Sequence, residues 1–204
     1  MEVQERILDT AFGLFRQYGT RSITMDDIAI KMGISKKTLY AHFEDKDDLV
    51  MNAIARYLQH MQDACVVSHE QGKDAIEALF RLMEILEEHT RNMNPVILLD
   101  LQKFHSRAYR LFQHYKDHYL KGTIRENLQR GISEGLYRAD INVEVLTEFR
   151  TTSSLLCFQP ELFSVSGFDM SHVQKVLLEH FLYGVASLKG FKLIELYKEQ
   201  LLKK

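Results

Sequence analysis

A chain of 204 residues, 46% of them apolar, is long enough for one generous domain or a small one joined to a larger one, and too apolar to remain disordered. Its formal charge of −2 excludes any global attraction to polyanions, so a nucleic-acid contact has to be local; residues 28–43 hold three lysines and no acidic side chain. Two cysteines, Cys65 and Cys157, make no disulfide framework, the first residues show no apolar signal core, and "PVILLDL" falls far short of the ~20 residues that cross a bilayer. The expectation is a soluble, cytoplasmic protein with no membrane partner, its cysteines serving as small core residues.

Apolar side chains recur at helical steps almost throughout, nothing alternates with period two, and there are only two prolines, Pro95 and Pro160. An all-α fold follows. The first helix is predicted from Glu2 to Tyr18, with Gly19 as a left-handed stop. Thr24 then opens a second helix as a capping box with Asp27, and "MDDIAIKM" ends at Gly33. Ser35 caps a third short helix. Asp45 or a neighbour caps a fourth that runs to about Ser68. Further helices are predicted over Lys73 to Thr90, over Asn94 to about Gly135 as two pieces, over Val143 to Phe158, over His172 to about Lys189, and in "LIELYKEQLL". The change from short to long helices puts a domain boundary near residue 46, giving a three-helix head over 1–46 and a larger helical domain over 47–204.

Within "GISKKTLYAHF", residues 33–43, a helical wheel places Leu39 and Phe43 within about 40° of each other, as the buried edge. Lys37, Thr38 and Ala41 lie opposite, with Tyr40 and His42 on the flanks. A capped short helix, a glycine turn and a second short helix with a polar outer face form a helix-turn-helix, whose second helix fits the major groove. The competing reading is a surface helix with solvated charges, and spacing alone leaves both open.

Residues 7–50 resemble the N-terminal domain of the tetracycline-repressor (TetR) family of transcriptional regulators. The resemblance rests on A-x-x-L-F-x-x-x-G, T-x-x-x-I-A-x-x-x-G-I-S, T-L-Y-x-H-F and K-x-x-L in unbroken order. A second echo, "GISEGLYRADINVE" at 131–144, is similar to the family's link into its dimerising helices. The resemblance implies a homodimer on double-stranded DNA, with a pseudo-palindromic operator released when a small-molecule effector binds. It implies that Lys36, Lys37, Thr38 and Ala41 face the groove, Lys37 being the candidate for guanine, while Thr24, Tyr40, His42 and Lys46 grip phosphates. Ala41 can pack on a thymine methyl but reads no hydrogen-bonding code.

In the larger domain Met61, Phe80, Met83, Phe104, Tyr109 and Phe158 are the candidate ligand-pocket residues, methionine and aromatic groups being adaptable to apolar guests. Val173, Leu177, Phe181, Gly184, Val185 and Leu188 form the candidate dimer stripe. At helical spacing each of these is also a plain core position. His114 and His118 share a face with a spacing that can bind a transition metal, but their segment alternates charge and aromatic like a solvent-facing helix, so no metal is assigned. No phosphate-binding glycine loop occurs, and "HEQGK" lacks the second histidine of a zinc-protease motif; neither catalysis nor a cofactor is expected. A helix-turn-helix module that has lost its operator, and an activator in place of a repressor, are the alternatives.

Overall fold

The computed structural model describes residues 2–91, 93–163 and 169–201, the side chains of Pro160, Phe163 and Leu201 excepted. Helix appears wherever apolar residues recur at three- and four-residue steps, and the described residues contain no strand, only one isolated antiparallel bridge between Tyr137 and Ala186. The elements in order are α1 (Val3–Tyr18), α2 (Met25–Met32), α3 (Lys36–Tyr40), α4 (Lys46–Gln71), α5 (Ala75–Thr90), α6 (Ile97–Phe104), α7 (Ser106–His114), α8 (Lys121–Ser133), α9 (Val143–Leu155), α10 (Pro160–Phe163), α11 (Met170–Val185) and α12 (Leu188–Leu201).

Local chemistry sets most of the starts. Thr24, Ser35, Asp45, Asp74, Asn142 and Asp169 each accept an amide hydrogen from the first turn that follows them, satisfying donors the helix itself leaves unpaired. Gly33 ends α2 in the left-handed conformation, at φ 65° and ψ 31°. Gly19 also has positive φ, 79°, but its ψ of 157° is extended, so the expected left-handed stop is instead a sharper turn open mainly to glycine.

The break between α6 and α7 falls at His105, and α7 runs into α8 through a widened π-helical turn, Tyr115–Leu120. The segment expected as two helices therefore has three helical pieces and a π turn. Helix α11 stops at Val185, short of the predicted Lys189, because the next residues turn extended to meet another segment: Arg138 N–H donates to Val185 O at 2.9 Å, and Ser187 N–H to Leu136 O at 2.9 Å. The echo motif explains that meeting point. Gly135 adopts φ 68°, and a Cβ on Gly131 would lie 2.1 Å from the Tyr137 ring.

Burial divides into two apolar clusters. The first unites Ile7, Ala11 and Phe15 of α1, Ile28 of α2, Leu39 of α3 and the N-terminal half of α4 with Ile97, Leu101, Ala108, Cys157 and Val173. The second joins α5, α8, Leu136, Tyr137, α11 and α12. The head and the larger body thus share packing, and residue 46 marks a change in helix length within a continuous core. Cys65 and Cys157 are free and buried, and burial pushes both thiols up to about 11. No described helix is long and apolar enough to cross a membrane.

Candidate nucleic-acid interface and ligand cavity

Leu39 and Phe43 are almost fully buried, which anchors α3 by ~1.5–3 kcal/mol for each side chain. The rest of the helix is held from its ends. Ser35 Oγ accepts from Thr38 N–H at 3.0 Å, and Ala41 N–H donates to Lys37 O at 3.0 Å. This short helix consequently presents a fixed outer face on which Lys36, Lys37, Tyr40, Ala41 and His42 are exposed.

Hydrogen bonding sorts that face into committed and open groups. Lys36 Nζ sits 2.8 Å from the Asp26 carboxylate of α2, and the contact holds its pKa above the ordinary lysine value. Thr38 Oγ1 pairs with Ser35 Oγ at 2.8 Å. Thr24 spends both its donors on Asp27, the backbone N–H at 2.8 Å and the hydroxyl at 2.7 Å. As folded, the hydroxyl of Thr24 therefore has no proton left for a phosphate, unlike the sequence expectation. Those hydrogen bonds also hold the Asp27 carboxyl below its usual range. The side chains of Lys37, Tyr40 and His42 make no hydrogen bond or ion pair with other described residues. Lys46 is partly buried at the start of α4; burial lowers its pKa, while the Asp100 and Asp27 carboxylates oppose that shift.

Asp26 and Asp100 are the residues that sequence reasoning missed on this side of the molecule. Asp100 of α6 accepts from Thr20 Oγ1 at 3.3 Å and from Arg21 N–H at 3.1 Å, in the turn between α1 and α2. Neither role had a local signal, because the partners lie 10 residues away for Lys36 and about 80 for the turn.

The pocket candidates separate. Tyr109 and Phe158 line an open cleft of about 370 Å³ bounded by α6, α7 and α9, with Lys121 and Glu148 paired at 2.7 Å on its wall. A second cavity, about 100 Å³, lies among α4, α5, α8, α9 and α11, and Met83 lines a smaller one beside it. Met61 and Phe80 are core residues that line none of these three. Phe104 is 50% exposed, with the Arg21 guanidinium 5.3 Å from its ring centre, and so stands outside the cavities. The reason is the chain break at His105, which turns the end of α6 towards the head. Phe181, a candidate for the dimer stripe, also lines the 100 Å³ cavity.

Of the dimer stripe, Val173, Phe181 and Val185 are buried within the chain and Leu177 is partly buried. Gly184 is exposed, with open space where a Cβ would stand, and Leu188 is 88% exposed. The outward apolar residues of these helices are Val176 on α11 and Val145 and Phe149 on α9, each more than half exposed. His114 and His118 lie with ring centres 4.4 Å apart and planes tilted by 46°, and no third histidine, cysteine or carboxylate joins them among the described residues.

The architecture is that of a helix-turn-helix head on a larger all-helical body with internal cavities. Residues 7–53 match the family model for bacterial regulatory proteins of the tetR family. The HTH-type transcriptional regulator YvaF of Bacillus subtilis, itself uncharacterised, is 31% identical over 108 residues, covering 52% of this chain and 56% of that protein. The chain spans about half the length of the curated relatives it matches. Over nearly the whole fold it is similar to a TetR-family regulator from Agrobacterium tumefaciens, with TM-score 0.74, 18% identity and coverage of 90% and 97%. A protein from Saccharomonospora viridis described as a transcriptional regulator, in complex with choline, has TM-score 0.74, 22% identity and the same coverage. The likeness to the tetR family of regulatory proteins is thus one of sequence in the head, residues 7–53, and one of fold over the rest of the chain.

Proposed function

We propose that this protein is a ligand-responsive, DNA-binding transcriptional regulator that acts in the cytoplasm as a homodimeric repressor and has no catalytic role. The observation that carries the reading is the outer face of α3, where Lys37, Tyr40 and His42 stand exposed and uncommitted on a helix anchored by Leu39 and Phe43. Lys37, with Lys36, Thr38 and Ala41, would meet base edges. Tyr40, His42 and Lys46 would hold phosphates on either side. For Lys46 a phosphate also compensates the burial that now disfavours its charge.

One short helix reads too few base pairs for useful specificity, and two-fold pairing supplies a second half-site. The outward apolar residues Val145, Phe149 and Val176, with the open approach at Gly184, support a dimer built from α9 and α11. The body is tied to the head at several points, among them Asp100 to Thr20 and Arg21, and Asn94 N–H to Arg16 O at 2.7 Å. An effector that favours one arrangement of α4 and α6 would re-space the two heads through such ties, provided it binds that arrangement more tightly.

A gel-shift of the purified protein against its gene's own upstream region tests the reading. Salt-sensitive binding to a pseudo-palindrome is expected. Absence of such binding to any pseudo-palindrome at low salt would overturn it.

A further inference from the structure

Among the described residues Arg150 is the one charged side chain with a buried nitrogen left without a hydrogen-bond partner. It lies on α9 and turns inward, its Nη1 shielded from solvent without a hydrogen-bond partner, and it makes no ion pair with a carboxylate among the described residues. What it touches is aromatic: the guanidinium lies 5.7 Å from the ring centre of Phe181. Glu87, which lines the adjoining small cavity, is engaged by Arg91 at 3.5 Å. Burial pulls the guanidinium pKa down to about 10, so it remains a cation at neutral pH. A buried charge left unpaired is costly, because its lost hydration is repaid by nothing in the fold. A group of this kind is expected where a counter-ion arrives from outside.

The surroundings describe that counter-ion. Arg150 lines the cavity of about 100 Å³ and the neighbouring one of about 40 Å³. The larger is walled mainly by apolar side chains, including Leu79, Leu82, Leu86 and Ile124. Its other open polar group is Ser68 Oγ, also buried and without a partner. Of the other polar side chains in the wall, Asn127 is held by Ala75 O and the Tyr137 hydroxyl, Thr123 by Tyr119 O, and Ser154 by Thr151 O, while His69 belongs to the exposed surface of α4. One cation and one hydroxyl inside an apolar wall match one carboxylate on an apolar body. An apolar cavity of about 150 Å³ admits a guest the size of benzene; the cavity alone is smaller, but with its neighbour, which shares Leu86, Arg150 and Ser154, the space approaches that of a single ring or a short chain.

We propose that this cavity binds a small apolar carboxylate, with Arg150 pairing to its acid group and Ser68 donating a further hydrogen bond. The inference deepens the reading of the larger domain as an effector domain and rests on it only for its consequence at DNA. It excludes a cation such as choline from this cavity.

Calorimetry on the full-length, DNA-free protein tests it with benzoate and hexanoate, set against benzamide and choline at the same millimolar concentrations. The carboxylates are expected to bind and raise Tm, and the amide and the cation to do neither. Arg150→Met, which keeps a long apolar side chain, should lower carboxylate affinity at least tenfold while retaining the helical circular dichroism signal and DNA binding; Arg150→Gln serves if the methionine variant does not fold. Ser68→Ala should give a smaller loss. Carboxylate binding undiminished in the Arg150 variants, or no carboxylate binding in the wild type, overturns the proposal. Failure of DNA binding with carboxylate binding intact would remove the operator reading and leave this one standing.

Discussion

His105 Nδ1 lies 2.9 Å from Asp47 Oδ1, so the joint between α6 and α7 is fastened to the first turn of α4, one residue after Lys46. His105 is 6% exposed, and Asp47 is its only side-chain hydrogen-bond partner among the described residues. A contact here links the body to the helix start at which the head meets its proposed phosphate. Asp47→Ala leaves a buried ring nitrogen unsatisfied and should cost ~1–3 kcal/mol, read by urea denaturation. A double-mutant cycle with His105→Leu should give a coupling of ~0.5–3 kcal/mol; additive losses would show that the two groups act separately.

Freeing Lys36 tests how the α3 face is charged. Asp26→Asn removes the carboxylate that now holds its ammonium, and should tighten DNA binding to all sequences while steepening the salt dependence. Lys37→Ala should weaken binding and, if the lysine meets a phosphate instead of a base, make the salt slope shallower by about one unit. Fluorescence anisotropy on labelled duplexes across a salt series distinguishes the two.

The capping box at α2 carries a pH signature. Asp27 is held below its ordinary carboxyl pKa of 3.8 by Thr24. A depressed folded-state pKa contributes stability that is present above the unfolded value and is lost as pH falls through the folded one. The stability gap between wild type and Asp27→Asn should therefore stay constant from neutral pH to about 4 and close below it. Thr24→Ala should cost ~0.5–2 kcal/mol at neutral pH. Thermal denaturation at stepped pH measures both.

Gly131 is a packing position. With its Cβ site 2.1 Å from the Tyr137 ring, Gly131→Ala should destabilise by ~1–3 kcal/mol through overpacking. Gly184→Ala meets open space and should leave the monomer fold nearly unchanged; sedimentation then reports whether the same methyl disturbs self-association.

At the proposed dimer face, Phe149→Asp combined with Val176→Asp should shift the protein to monomers in sedimentation velocity and weaken DNA binding at least tenfold. Unchanged association would place the interface elsewhere.

What the sequence determined by itself was everything whose cause is local. Cap residues such as Thr24, Ser35 and Asp45 act on amides two or three positions away, and apolar steps repeat within a single helix. The head and the anchoring of α3 by Leu39 and Phe43 were therefore legible in advance, and so was the all-α class. The tertiary structure alone decided which equally spaced groups stay open. Asp26 reaches Lys36 across a turn, and the break at His105 carries Phe104 to the surface. Helix α11 turns Phe181 inward and leaves Val176 exposed. Arg150, one cation among many in the sequence, is singled out by helices α4, α5 and α11 closing over it. Such outcomes depend on which distant surfaces meet, and helical periodicity specifies only that a face is apolar, not what will cover it.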